Sequence, residues 1–212
     1  MDTDRLIRTL AADNDYRARS VGWMLALAMV FAVPVSSAIF MMRLGPRADI
    51  SQAMSNPFFE LKFVIVIALA IAATAVVLRL SRPAAPVGRW SWLFVIPAAL
   101  LGIGVATDLL IPQQSSWSSR MIGSNSMICL SAIPLLSAPL LFAALAALRH
   151  GAATRPALSG AFAGLLSAGL AAVLYASHCF DDSPLFVATW YSLAIGVVTA
   201  IGALVGSRVL RF

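Results

Sequence analysis

The chain has 212 residues, of which 60% are hydrophobic and 11% charged, and its formal net charge is +6. That leaves too little polar surface to cover a water-soluble globule, so the composition excludes an ordinary soluble domain and points to a polytopic membrane protein. The basic excess is almost wholly arginine scattered between apolar runs, which argues against direct nucleic-acid binding, where basic residues cluster on one face or tail, and fits a topology signal.

From Met1 to Ser20 the chain is polar and mixed in charge. Leu6, Ile7 and Leu10 fall at helical spacing, Asp2 or Thr3 can serve as an N-cap, and Asp13, Asn14 and Asp15 form a helix-stopping cluster. A helix of about ten residues does not hold itself together in water, where about 12 to 15 are already marginal. One reading is a segment that orders when its apolar stripe meets a partner's groove. The plainer one is a solvated leader whose arginines fix orientation.

Six apolar segments follow, at Val21–Met42, Phe63–Leu80, Ser91–Pro112, Ser126–Leu148, Leu158–Ser177 and Phe186–Val205. Each is near the roughly 20 residues that cross about 30 Å of hydrocarbon, with ends placed to about four residues. The expected fold is an all-α integral membrane protein: a six-helix transmembrane bundle over residues 21–207, preceded by an N-terminal segment with a short amphipathic helix over 1–20 and followed by a tail over 208–212. The first span is too long, and its leading segment too acidic, for a cleaved signal peptide.

Arginine placement orients the bundle. Arg5, Arg8, Arg17 and Arg19 precede the first span, Arg79, Arg82 and Arg89 join the second to the third, Arg149 and Arg155 join the fourth to the fifth, and Arg208 and Arg211 follow the sixth. The opposite flanks carry only Arg43, Arg47, Lys62 and Arg120. By the positive-inside rule both termini face the cytoplasm, N-in and C-in, as a multi-pass protein of a bacterial inner membrane.

The only two thiols then share the external face, Cys129 about one turn into the fourth span and Cys179 in the loop between the fifth and sixth. Three readings stay open: a permanent disulfide staple, a reversible thiol or metal sensor, or two unrelated buried small residues. Around Cys179 runs the string His178, Cys179, Phe180, Asp181, Asp182, Ser183, Pro184. Cys129, His178, Cys179 and Asp181, with Asp182 beside them, would offer sulfur, nitrogen and oxygen donors to a divalent metal, although the spacing matches no standard zinc motif. Asp182 or Ser183 would alternatively cap the sixth span, with Pro184 in its first helical position. No resident cofactor is expected, only a transient divalent metal or a disulfide.

Within the spans, Gly160, Gly164, Ala168 and Ala172 repeat every four residues, as do Gly202 and Gly206, which serves bundling or dimerisation equally. Pro34, Pro97, Pro134 and Pro139 are expected to bend their helices. Asn56, Pro57, Phe58 and Phe59 read as an interfacial turn, with aromatics at headgroup level. Asp108, near the external end of the third span, is the one acidic residue inside a span. It supports either an interfacial carboxylate or, as an alternative function, a small ion or solute transporter. No phosphate loop, nucleophile elbow, paired-histidine metal motif or dinucleotide glycine signature occurs, so no enzyme class is indicated. A thiol oxidoreductase would need a cysteine relay, and there is no Cys-x-x-Cys pair.

The opening run from Thr3 to Asp13, the position of Cys129, and the run from His178 through Pro184 to Trp190 and Tyr191 resemble the NrsF family, negative regulators of sigma F. The resemblance covers essentially the whole chain, and the loop string is its most specific part. It implies a six-span inner-membrane anti-sigma factor that contacts membrane lipid and holds an extracytoplasmic-function sigma factor inactive, with Cys129 and Cys179 implicated in sensing oxidant or metal stress. In the sigma-binding segment that the resemblance implies, Leu6, Ile7 and Leu10 would supply apolar contacts while Asp4, Arg5 and Arg8 set electrostatic register. No residue in the sequence identifies how the fourth span would communicate with the first.

Overall fold

A computed structural model describes residues 3–4, 20–82, 88–110, 116–151 and 153–211. The predicted N-terminal helix, with Arg5, Leu6, Ile7, Arg8 and Leu10, lies outside them, while Thr3 and Asp4 are helical and exposed. Among the described residues all regular secondary structure is helical, with no strand. The elements are α1 (Val21–Arg43), α2 (Ile50–Ala53), α3 (Pro57–Leu80), a 3₁₀ segment Gly88–Phe94 leading into α4 (Val95–Leu110), α5 (Trp117–Ile122), α6 (Ser126–Leu148), α7 (Pro156–Ala176) and α8 (Pro184–Val209). Six of these stretches are long and apolar enough to cross a membrane.

Side-chain caps explain where the predicted ends move. The Ser20 hydroxyl accepts from Trp23 N and starts α1. Asn56 Oδ1 accepts from Phe58 N at 3.0 Å, and Pro57 occupies the first helical position, so the stretch read as an interfacial turn instead begins α3 six residues early. That correction moves Lys62 from a flank into the helix, where it is buried. Ser183 Oγ accepts from Leu185 N at 3.3 Å with Pro184 at the first position of α8, so the cap is Ser183 and not Asp182. Inside α8 the turn Val187–Tyr191 widens to a π-helix that buries Val187 and Tyr191.

Helix α7 is the centre of the bundle, packed against α3, α6 and α8, while α1 lies on α6 and α4 on α3. The small-residue ridges face each other within the chain. A Cβ added at Gly164 would stand 2.6 Å from Val198 O, one at Gly206 would stand 2.6 Å from Gly160 Cα, and Gly160 and Gly202 are closer still. The ridges are therefore consumed by α7–α8 packing, the bundling role.

Val21, Ser81 and Leu148 meet around Gly151 at one end of the bundle, and Gly206 meets Pro156 O there. The start of α1 and the end of α8 lie at this end, with Arg79, Arg82, Arg149, Arg155 and Arg208 near the helix termini that form it. At the other end the Gly45–Asp49 loop, Lys62, Asn125 and the 177–182 loop converge.

Candidate functional site

The converging end is where both thiols lie. Cys129 occupies the first turn of α6, its amide donating to Asn125 O at 2.8 Å, and Cys179 lies just beyond α7, its amide donating to Tyr175 O at 3.1 Å. Both are free thiols, and both are wholly buried. They stand near enough to each other, to Lys62 and to Asp181 to interact electrostatically. Two tyrosines close the cluster. The Tyr175 hydroxyl donates to Asn125 O at 3.3 Å, and its ring lies 5.6 Å from that of Tyr191. The Tyr191 hydroxyl is buried within electrostatic reach of Cys179. Burial pushes the Cys179 thiol above its ordinary range, against the opposing pull of Lys62, so at neutral pH it is a protonated, shielded group.

The 177–183 loop is held from two sides. Toward α6, the Asp181 carboxylate accepts from Ser124 N, from Asn125 N at 2.8 Å and from Asn125 Nδ2 at 3.0 Å. Toward α1 and α3, Asp182 accepts from Arg47 Nη1 at 3.0 Å and Lys62 Nζ at 2.7 Å, and both cations also donate to the Cys179 carbonyl, at 3.3 and 3.0 Å. Asp49 completes the knot with two contacts of 2.8 Å to the Arg47 guanidinium. Asp49, and then Asp182, hold Arg47 well above its ordinary pKa against the cost of burial, and Arg47 in turn holds Asp49 below the usual carboxylate range. The guanidinium also lies 4.7 Å from the Phe180 ring centroid and 5.5 Å from that of Phe59.

His178 Nδ1 lies 2.9 Å from Gly45 O. A carbonyl only accepts, so Nδ1 carries the proton and donates. The predicted metal donors are consequently not assembled: His178 is tied to the loop after α1, Asp181 is saturated by the residues before α6, and no group of three or more His, Cys, Asp or Glu converges among the described residues.

Asp108 is buried and committed. Arg120 Nη1 donates to its Oδ1 at 2.9 Å and the Ser183 hydroxyl to its Oδ2 at 3.1 Å, which ties α4 to α5 and to the start of α8. A transport acid needs a carboxylate open to its ion, and this one is enclosed in a structural pair.

Sequence reading missed Arg47, Lys62, Asn125 and Tyr175. For the first two a signal existed: Arg47, Lys62 and Arg120 are basic residues on the basic-poor flanks, and all three form ion pairs with acids of the same end. Asn125 and Tyr175 carried none, because their contacts span about 50 residues.

The model of the NrsF family, described as negative regulator of sigma F, matches residues 10–212. The chain belongs to the NrsF family. It is similar to a probable anti-sigma-F factor NrsF of Azospira oryzae, 34% identical over 219 residues, and to an anti-sigma-F factor NrsF of Caulobacter vibrioides, 34% identical over 216 residues. In both cases the alignment covers all of either chain. No solved structure matches it. NrsF proteins are regulators rather than enzymes, which agrees with the absence of catalytic motifs from the sequence.

Proposed function

We propose that this NrsF protein is a bacterial inner-membrane anti-sigma factor that holds sigma F, an extracytoplasmic-function sigma factor, at the membrane through its N-terminal segment, and that Cys129 and Cys179 sense oxidant or metal stress on the outer face. The observation that carries the reading is the separation of the two ends: both thiols are buried at one end, within electrostatic reach of each other, while the chain leading to the N-terminal segment joins at the other. The positive-inside rule places the arginine-rich end in the cytoplasm, where a sigma factor is. Hydrogen peroxide would take two electrons and the two thiol protons, leaving one disulfide and being itself reduced to two waters; a thiophilic divalent metal would instead displace the two protons to solvent and bridge the sulfurs.

The sigma-binding role rests on Leu6, Ile7 and Leu10 as apolar anchors, with Asp4, Arg5 and Arg8 setting register. Sigma F should co-purify with the full-length protein from detergent-solubilised membranes, and Leu6→Asp or Leu10→Asp should abolish this without lowering the melting temperature of the bundle. Full retention by both variants would move the binding surface elsewhere.

A further inference from the structure

The chain segment just beyond α1 grips almost every residue of the Cys179 loop. Leu44 N and Gly45 N both donate to Phe40 O at 2.9 Å, and Gly45, at φ 70°, ends the helix in the left-handed conformation that glycine favours. From there Gly45 O accepts from His178 Nδ1, Arg47 N donates to Ser177 O at 3.0 Å, and the Arg47 side chain reaches the Cys179 carbonyl, the Phe180 ring and Asp182. Within 177–182 only Asp181 turns the other way, toward α6.

Helix α1 itself is lightly held. Its buried residues are Leu25, Ala32, Ser36 and Phe40, one narrow stripe against α6. Within that stripe the wholly buried Ser36 hydroxyl donates to Leu136 O at 2.8 Å. Leu136 lies between Pro134 and Pro139, two residues that remove amide donors from the α6 ladder and leave that stretch the easiest part of the helix to reshape. Helix α1 is thus tied to the Cys179 loop at one end and to the Cys129 helix at mid-length, and its opposite end continues into the N-terminal segment.

We infer that α1 is the transmitting element, with Arg47 and Ser36 as the positioning residues that convert a rearrangement of the Cys179 loop or of α6 into a displacement of the N-terminal segment. The inference rests on the anti-sigma reading above and supplies the coupling between fourth and first spans that the sequence left without a residue. A shift of the Cys179 backbone cannot leave the Arg47 contacts unchanged, and because α1 has few other buried contacts it is the partner that yields.

The test uses full-length protein in native membranes, bound to sigma F and treated with diamide, which takes two electrons and two protons from a thiol pair and becomes its hydrazine. Retained sigma F and free thiol content are read on the same sample. The wild type should change its retained sigma F by about fivefold or more, the low end of typical coupling. Ser36→Ala should bind sigma F and lose its free thiols as the wild type does, and Arg47→Gln should bind sigma F and lose its thiols at least as fast, yet each should change retention by less than about twofold. A wild-type response that persists in both variants overturns the inference and leaves the anti-sigma reading standing. No response in the wild type, with the thiols consumed, overturns the thiol-sensing reading and the inference together. Ser36→Ala removes one oxygen and no charge, so it keeps the test decisive should Arg47→Gln fail to fold.

Discussion

Asp181 Oδ2 accepts from the backbone amide of Asn125 at 2.8 Å, which fastens the Cys179 loop to the start of the Cys129 helix. Asn125 makes no side-chain cap of its own to α6, so the carboxylate from the distant loop supplies the negative charge at that helix N-terminus. Asp181→Ala should cost about 1.5–3 kcal/mol, the usual worth of hydrogen bonds to a charged group. It should also speed alkylation of Cys129, because the first turn of α6 loses its anchor. A thermal melt and a timed maleimide reaction on the same detergent sample check both, and an unchanged Cys129 rate would show that Asp181 does not shield the thiols.

The Arg47–Asp182–Lys62 knot is two buried cations on one carboxylate, so the cost of breaking it depends on which partner is removed. Asp182→Asn leaves both cations undercompensated and should destabilise by about 3–5 kcal/mol. Lys62→Met removes a cation while Arg47 stays paired with Asp182 and Asp49, and should cost clearly less. The double variant should recover part of the loss in a denaturation series. Equal costs for the two single variants would mean that the knot is solvated and its charges weakly coupled.

Cys179 is held above its ordinary pKa by burial, and that direction fixes a pH profile. An exposed cysteine is half thiolate at about pH 8.5, and its alkylation rate levels off about a unit above that. In a Cys129→Ser background the Cys179 rate should start low and still be climbing about a unit beyond 9.0, the ordinary value for its thiol, where an unshifted thiol has levelled. The stability sign follows from the same shift. A group whose folded pKa is raised contributes stability that is fully present below its unfolded value and is lost as pH rises through the folded one. Melting temperature should therefore hold at neutral pH and fall on the alkaline side of 9.0 in the Cys179 protein, and fall less in Cys179→Ser. A plateau within about a unit of the ordinary value would mean an open thiol.

The spans were legible because hydrophobic length is a local property: α6 runs over the residues its composition indicates, Ser126–Leu148. The start of α3 was misplaced because Asn56 and Pro57 are equally good turn and cap residues, and only the path of the following chain decides between them. The thiols could be assigned to one end by counting spans, but the backbone beside them is pinned by Tyr175, Lys62 and Arg47, which come from three separate elements. Asp182 shows the limit most clearly. Its position before Pro184 fits a helix cap, yet two cations more than 100 residues upstream claim it, and Ser183 takes the cap. Tertiary charge pairing overrode a local preference that was itself sound.

Gly160 on α7 and Gly196 on α8 give a paired test of the bundle's tightest seam. A Cβ at Gly160 would press into the backbone carbonyl of Gly202 and stand 2.8 Å from Gly206 Cα, so the backbones of α7 and α8 have to separate to admit it. Gly160→Ala should cost about 1–3 kcal/mol, the range for overpacking a close contact. At Gly196 nothing lies within 4 Å of the added carbon, and alanine is the better helix former by up to about 1 kcal/mol in water. Gly196→Ala should therefore be neutral or mildly stabilising. The two variants differ by the same methyl group on neighbouring helices, so the contrast isolates packing from propensity. Thermal melts in one detergent measure it directly. Equal melting temperatures would show that α7 and α8 are not in direct backbone contact, and the ridge at Gly160, Gly164, Gly202 and Gly206 would then be free to pair with a second chain.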